Sequence, residues 1–381
     1  MKYDYIIAGG GCAGLSMAWH LLHYGPQHCN ILLIEPDPSP AHSKTWCFWT
    51  RDEMPFAHLA CKTWRRMAFE AFGRRFEGAL DQYPYRCIRE TDYRHHILDE
   101  IRQCPRIDIL ASAVTEITGA GQPAAVTESG TYKADYIFQS CFGDERSGLS
   151  LKQHFTGWEI RTQRDCLDPE QLTLMDFNTS QKKGLTFFYT LPFSARHGLV
   201  EYTLFSEHLL EKQEYERALE MHIRDRLGIM DDEYEIIRSE HGCIPMAGRT
   251  RPPDFGERVI TLGTAGGLTK PSTGYAFTRI HKQCRQIADS LTAGAIPCFD
   301  APSAYRFRIY DILLLQIIRS HPEDAIQVFH RLFTKNGFDA MLQFLDEKTG
   351  LAQELGMFTT VPCIPFLRAI YTSRRLILTG A

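Results

Sequence analysis

Two kinds of residue in this 381-residue chain are placed to do chemistry. The first is a set of glycines with one acid. Gly9, Gly11 and Gly14 stand as G-x-G-x-x-G after the apolar run Tyr5-Ile-Ile-Ala8, and Glu35 follows Gly14 by 21 residues, at the end of a second apolar run, Ile31-Leu-Leu-Ile34. A carboxylate at that spacing can accept hydrogen bonds from a ribose diol. The second is an acid inside an apolar run, Glu201 in Leu199-Val-Glu-Tyr-Thr-Leu-Phe205. Among apolar groups a carboxyl has its pKa raised, because desolvation penalises the charged form, and it then becomes a proton donor near neutrality. The alternative is an edge-strand Glu facing water. Asp176, in Leu174-Met-Asp-Phe177, has the same character, with a structural role the stronger reading.

The glycine set implies a βαβ unit. Gly9 permits a tight turn, Gly11 lets the backbone approach a pyrophosphate, and Gly14 lets the helix pack closely on the strand. The free N–H groups and positive dipole end of that helix, near Cys12 and Ala13, receive the phosphates. FAD is the first reading of the dinucleotide and NAD its rival. Arg258-Val-Ile-Thr-Leu262 then runs into Gly263, Gly266 and Gly267, repeating the same logic, and a helix is expected over 274–293, opening at Gly274. The sheet-rich stretch between reads as an insertion. There, strand alternation puts Glu201 on one face with Leu199 and Thr203, and Val200 and Tyr202 on the other.

Around these, Pro36–Pro40 is a breaker-rich loop. Thr45–Trp49 is an aromatic cluster, either a core knot or a wall beside a ligand. Residues 84–89 read as a strand and 90–98 as a helix with Thr91 or Asp92 as its cap. Residues 105–116 and 131–141 read as strands returning to the nucleotide-binding sheet. Short β-type runs at 156–160, 172–177, 185–192 and 199–205 suggest an antiparallel sheet, followed by a helix near 208–227 and a strand near 234–240. The last 80 residues look helical. The implied division is 1–60 and 61–150 for the nucleotide-binding domain, 151–245 for the antiparallel substrate domain, 246–300 for the return, and 301–381 for a helical part.

Bulk composition narrows the classes. A net charge of −4 gives no basic field for nucleic acid. The fifteen histidines show no HxxxH or HExxH spacing, so no metal site is assigned. Twelve scattered cysteines without a C-x-x-C pair read as reduced thiols in a cytoplasmic protein. The N-terminus enters a strand at once, so no signal or transit peptide is expected. No window of about 18 apolar residues suggests a membrane span, which leaves a membrane surface open as a partner.

Together these runs resemble the bacterial flavoprotein lycopene beta-cyclases of carotenoid biosynthesis, over nearly the whole chain. The motifs are Asp4–Leu15, Lys44–Trp49, Met175–Phe177 with Gln181, Gly184 and Phe188–Pro192, Gly242–Met246 and, most specific, Gly263–Tyr275. The resemblance implies an α/β fold: a Rossmann-type FAD-binding domain of the glutathione-reductase or hydroxybenzoate-hydroxylase kind, with the inserted antiparallel sheet and a helical C-terminal part. It implies reduced FAD with NAD(P)H as reductant, held by Gly9, Gly11, Cys12, Ala13, Gly14, Glu35, Gly263, Gly266, Gly267 and Gly274. It also implies lycopene and related polyenes as substrates, and Glu201 as the catalytic acid that cyclises their ψ ends to β rings without net redox change. Many family members carry two adjacent acids here; this chain has Tyr202 at the second position. Trp46, Phe48, Trp49, Tyr189, Tyr202 and Tyr275 become candidate aromatics for a carbocation. The apolar and basic C-terminal stretches become either docking elements on the inner face of the cell membrane or ordinary core helices. A redox enzyme of the same fold, a flavin monooxygenase or isoprenoid reductase, is the alternative. The missing Asp after Gly263 argues against it. A non-enzymatic nucleotide-binding scaffold is the third reading.

Overall fold

A computed structural model describes residues 2–37, 44–143, 151–246 and 254–379. The opening apolar run is β1 (Lys2–Ala8), followed by α1 (Cys12–Tyr24) and β2 (Ile31–Ile34). All four residues of β2 are buried, as expected of a parallel strand covered on both faces. Next come β3 (Thr45–Trp49), β4 (Lys62–Trp64), β5 (Arg66–Ala71), β6 (Arg74–Ala79) and β7 (Tyr85–Arg89). Helix α2 (Glu90–Arg102) leads to β8 (Ile107–Leu110), β9 (Val114–Thr118), β10 (Ala124–Thr127) and β11 (Gly130–Gln139). The middle of the chain forms β12 (Lys152–Thr162), β13 (Gln171–Asp176), β14 (Leu185–Ser194), β15 (His197–Ser206), α3 (Lys212–Asp225) and β16 (Tyr234–Pro245). Then β17 (Val259–Thr261) precedes α4 (Phe277–Thr292), and the remainder is helical: α5 (Tyr305–Ser320), α6 (Pro322–Asn336), α7 (Phe338–Leu345), α8 (Leu351–Phe358) and α9 (Cys363–Thr379).

Among the described residues the first sheet runs β8-β2-β1-β11-β10-β9, with β17 also on β11. The pairs β1–β11, β1–β2, β2–β8 and β11–β17 are parallel. The strand after residue 130 therefore does return to β1, and β17 does rejoin the same sheet. The second sheet runs β16-β12-β15-β14-β13-β5-β6. It draws β5 and β6 from residues 66–79, outside the stretch expected to form it. A three-stranded sheet, β3-β7-β4, lies apart from both.

Helices α1, α2 and α4 share one core with the first sheet, through Leu15, Ile97, Ile101, Phe138, Ile280 and Ile287. One face of the second sheet packs Val200, Tyr202 and Leu204 under α3, against Leu219 and Ile223. Full burial of side chains such as these two contributes about 1.5–3 kcal/mol each. The other face, with Tyr189, Leu191, Leu199 and Phe205, meets the C-terminal helices through Phe329, Phe333 and Leu342.

The expected cap of α2 is corrected. Neither Thr91 nor Asp92 caps it; Arg89 is the N-cap residue and makes no side-chain cap bond. The strand β7 runs directly into the helix, and Glu90 N donates to Lys44 O over 2.9 Å, so the residue before β3 satisfies the first helical amide. The loop Pro36–Pro40 lies outside the described residues from 38 onward.

Candidate functional site

The parallel strands end along one edge. Gly9 N donates to Ile34 O, Ser140 N to Ala8 O and Leu262 N to Gln139 O, which aligns the C-terminal ends of β2, β1, β11 and β17. Ligands of open α/β sheets bind outside such an edge. Gly9 has φ of +96°, and a Cβ at Gly14 would lie 1.8 Å from Gly9 O, so both positions require glycine. A Cβ at Gly11 would meet nothing within 4 Å, which leaves an open approach over the first turn of α1. The first bond of α1 runs from Leu15 N to Gly11 O, so the amides of Cys12, Ala13 and Gly14 have no intrahelical acceptor. Glu35 Oε2 accepts from Gly10 N, which holds its carboxylate beside the glycine turn.

A second glycine loop presses on this one. A Cβ at Gly263, with φ of +61°, would lie 2.7 Å from Ala13 Cβ. Gly266 N donates to Leu262 O and Gly267 N to Thr264 O, so these glycines offer close approach rather than free donors. Gly274 lies at the far end of the loop, where a Cβ would lie 2.4 Å from Gln153 Oε1 of β12. Sequence reasoning missed Arg94 of α2. It is buried, its Nη2 lies 3.4 Å from Glu90 Oε1, and its Nε and Nη1 have no hydrogen-bond partner among the described residues. Tyr93, next to Arg94 on α2, hydrogen-bonds Ser16 of α1 over 2.7 Å, which puts this stretch of α2 against the start of α1. Free amides, an open glycine, a carboxylate at the turn and an underpaired buried guanidinium form a donor set that fits a dinucleotide.

The acid stands on the second sheet. Strand β15 lies between β12 and β14, so Glu201 is not on an edge. Register puts Tyr189, Glu201, Gly157 and Glu240 in one row across β14, β15, β12 and β16. Residues in register share a face. Burial pushes the Glu201 carboxyl up to about 8, the nearby charge of Glu240 adds to this, and a hydrogen bond from Thr203 Oγ1 (2.7 Å) opposes it. At neutral pH Glu201 is a carboxylic acid. Tyr275, from the glycine loop, joins this row beside Tyr189, and a charge on Glu201 would raise its hydroxyl further. Its hydroxyl hydrogen-bonds Tyr85, which bonds Tyr189 over 2.7 Å. Trp49 meets the Tyr275 ring edge-on at 4.5 Å and stacks on Tyr85 at 5.8 Å. The indole of Trp49 donates to Leu342 O, tying this wall to α7.

Trp49, Tyr189 and Tyr275 thus gather beside Glu201, with Tyr85 a member that sequence reasoning missed. Three other aromatics do not. Trp46 packs on Tyr93 and Phe48 stacks on Phe277, both in the core of α1, α2 and α4, because alternate residues of β3 face opposite ways. Tyr202 faces α3 and packs on Phe188. Asp176 is in register with Phe188, hence on that same far face, where Asn178 and Arg226 bind its carboxylate. It is a structural acid.

Behind Glu240 lies a charged chain. Arg238 Nη1 (2.7 Å) and Thr45 Oγ1 (2.9 Å) donate to Glu240, and Arg238 also reaches Glu159. Burial alone would raise Glu159, but hydrogen bonds from Arg89 and Arg238 hold it down at about 2.

A mostly parallel sheet whose edge carries two glycine loops, joined to a sheet that bears a buried acid and is antiparallel except where β5 meets β13, defines the class: the dinucleotide-binding flavoprotein fold. Two solved structures share it over the whole chain. One is a geranylgeranyl bacteriochlorophyll reductase-like protein from Thermoplasma acidophilum, with TM-score 0.60, 13% identity and 98% of that chain covered. The other is a flavoprotein/dehydrogenase from Cytophaga hutchinsonii, with TM-score 0.65, 14% identity and 100% covered. Within this class the chain belongs to the lycopene cyclase family, whose model, described as lycopene cyclase protein, matches residues 4–371. It is 28% identical to a lycopene beta-cyclase of Pseudescherichia vulneris over 78% of this chain and 76% of that one. It is 24% identical to a lycopene beta-cyclase of a Paracoccus strain over 97% of each. A neoxanthin synthase of Solanum tuberosum is 23% identical, over 77% of this chain and 61% of that one.

Proposed function

We propose that this protein is a lycopene beta-cyclase, acid-catalysed, with Glu201 as the proton donor. The observation that carries the reading is a neutral carboxyl, buried and raised to about 8, in register with Tyr189 and beside Tyr275. Glu201 delivers a proton to the terminal double bond of a ψ end. The neighbouring alkene attacks the resulting tertiary cation, which closes the ring and leaves a ring cation, and loss of an adjacent ring proton to a base then forms the double bond of the β ring. Trp49, Tyr85, Tyr189 and Tyr275 present aromatic groups to positive charge, and a cation–π contact contributes about 2 kcal/mol or more when desolvated. Their burial also keeps out water, which would trap the cation. Gly9, Gly11, Cys12, Ala13, Gly14 and Glu35, with Arg94 and the Gly263–Gly274 loop beside them, would hold FAD. Bound there and kept reduced by NAD(P)H, FAD would supply an anionic ring to stabilise positive charge without net redox change.

Lycopene dissolves only in lipid, so the enzyme must draw it from a bilayer. No helix among the described residues is long and apolar enough to cross a membrane. On α8 and α9, however, Leu351, Leu355, Ile364, Leu367, Ile370 and Tyr371 are exposed, at helical spacing and with Arg368 and Arg374 among them. This supports peripheral docking on the inner face of the cell membrane. Expression in a lycopene-accumulating host, with pigments separated by chromatography, tests the function: γ- and β-carotene are expected, and unchanged lycopene would contradict it.

A further inference from the structure

We propose that Glu240 is a positioning residue for the proton on Glu201: across the gap at Gly157 its carboxylate faces Glu201, and that charge keeps the proton in place until substrate takes it. The inference rests on Glu201 being the proton donor. Its basis is the row across three strands. Glu201 and Glu240 are each in register with Gly157, on β15 and β16 to either side of β12. A Cβ at Gly157 would lie 3.5 Å from Glu201 Cβ and 3.3 Å from Glu240 Cγ, so both acids border the space that the missing side chain leaves. Both are buried.

Two carboxyls that share a low-dielectric site resist carrying two charges, and they titrate as a pair. Their partners decide which one holds the charge. Glu240 accepts from the Arg238 guanidinium and from Thr45, with Glu159 anchoring Arg238 from behind. Among the described residues Glu201 has one hydrogen-bond partner, the Thr203 hydroxyl, and no cation. The groups that face it otherwise are Tyr189 on β14 and Tyr275 from the glycine loop, with Cys47 of β3 beside those two rings; burial keeps both tyrosines neutral. Burial raises Glu240 as well, but Arg238 and Thr45 oppose that rise, whereas Glu201 has only Thr203 against it; the pair therefore carries its negative charge on Glu240 and its proton on Glu201. Tyr202, the next residue along β15, faces α3. The second carboxyl of the site comes from a different strand.

The test titrates the protonated carboxyl by infrared difference spectroscopy in full-length, flavin-loaded protein. Its band is assigned by its loss in Glu201→Gln. In Glu240→Gln the Glu201 step moves to lower pH by about one unit, a tenfold loss of proton affinity, and the alkaline limb of kcat/KM moves with it. In Glu240→Asp, which keeps the charge, the step stays near its original pH. An unmoved step in folded Glu240→Gln overturns the proposal. If that variant does not fold, Gly157→Ala, which keeps both carboxyls and parts them by a methyl group, shifts the step in the same direction by less; no shift there overturns it equally. Normal turnover in Glu201→Gln is a separate result: it removes Glu201 as the donor, whatever Glu240 does to its titration.

Discussion

Thr203 donates its hydroxyl hydrogen to Oε1 of Glu201 across 2.7 Å, from two residues along the same strand. This bond favours the charged form of the acid, against the burial that raises it. In Thr203→Val the carboxyl loses its one partner and stays protonated to higher pH. The alkaline limb of the activity profile should therefore move upward, by up to about one unit. Loss of a buried hydrogen bond should also lower stability by about 1 kcal/mol. A pH–rate profile and a denaturant titration check both.

Glu201 also links stability to pH. Its folded pKa of about 8 lies above that of an unfolded glutamate, so the folded state binds the extra proton between the two values. The stability that comes with this proton is fully present below the unfolded pKa and is lost as pH rises through about 8. Glu201→Gln does not titrate. Measured side by side from pH 5 to 9, wild type should lose stability relative to Glu201→Gln by a few kcal/mol. Parallel curves would show that Glu201 is not held neutral.

The βαβ unit was legible because G-x-G-x-x-G, two apolar runs and Glu35 lie close together in the chain and each has a steric or hydrogen-bonding reason. The faces within β15 were legible from a period of two, which separated Glu201 from Tyr202. What faces Glu201 from other strands was not. Glu240 reaches it through register among β15, β12 and β16, and Tyr85, on the separate sheet of β7, through its hydroxyl bond to Tyr189; both depend on contacts far apart in sequence. Trp46 and Phe48 were candidates for the substrate side as well, but alternation along β3 sends only Cys47 and Trp49 that way. Nothing in the sequence sets Arg94 apart from the other basic residues around it; only the fold shows that it is buried.

The glycine turn makes a sharp prediction. Since a Cβ at position 14 would overlap Gly9 O at 1.8 Å, Gly14→Ala must push α1 away from β1. Overpacking of this kind costs about 1–3 kcal/mol or more. It should also displace the free amides of the first turn, so the purified variant should carry little flavin by absorbance. Gly11→Ala, whose Cβ meets nothing, should keep wild-type stability and lose flavin affinity alone.

Lys270 ties the specific Gly263–Tyr275 motif to the helical part. Its ammonium lies 3.2 Å from Asp311 of α5 and 2.8 Å from Glu347, which also binds Arg279. Lys270 and Asp311 are almost fully buried. Lys270→Met leaves Asp311 as an uncompensated buried acid and should cost about 3–5 kcal/mol in chemical denaturation. Adding Asp311→Leu should restore much of that loss, because the buried charge is then gone.

The central claim is that Glu201 delivers the proton in a cyclisation with no net redox change. It is tested most directly by turnover of lycopene in liposomes by flavin-loaded wild type and Glu201→Gln, with pigments and NAD(P)H followed together. Wild type should form γ- and β-carotene without stoichiometric NAD(P)H consumption, and Glu201→Gln should retain its flavin and lose at least about 100-fold in rate, in the range for a general acid. Product formation by Glu201→Gln at the wild-type rate, or one NAD(P)H consumed per ring formed, would contradict the account.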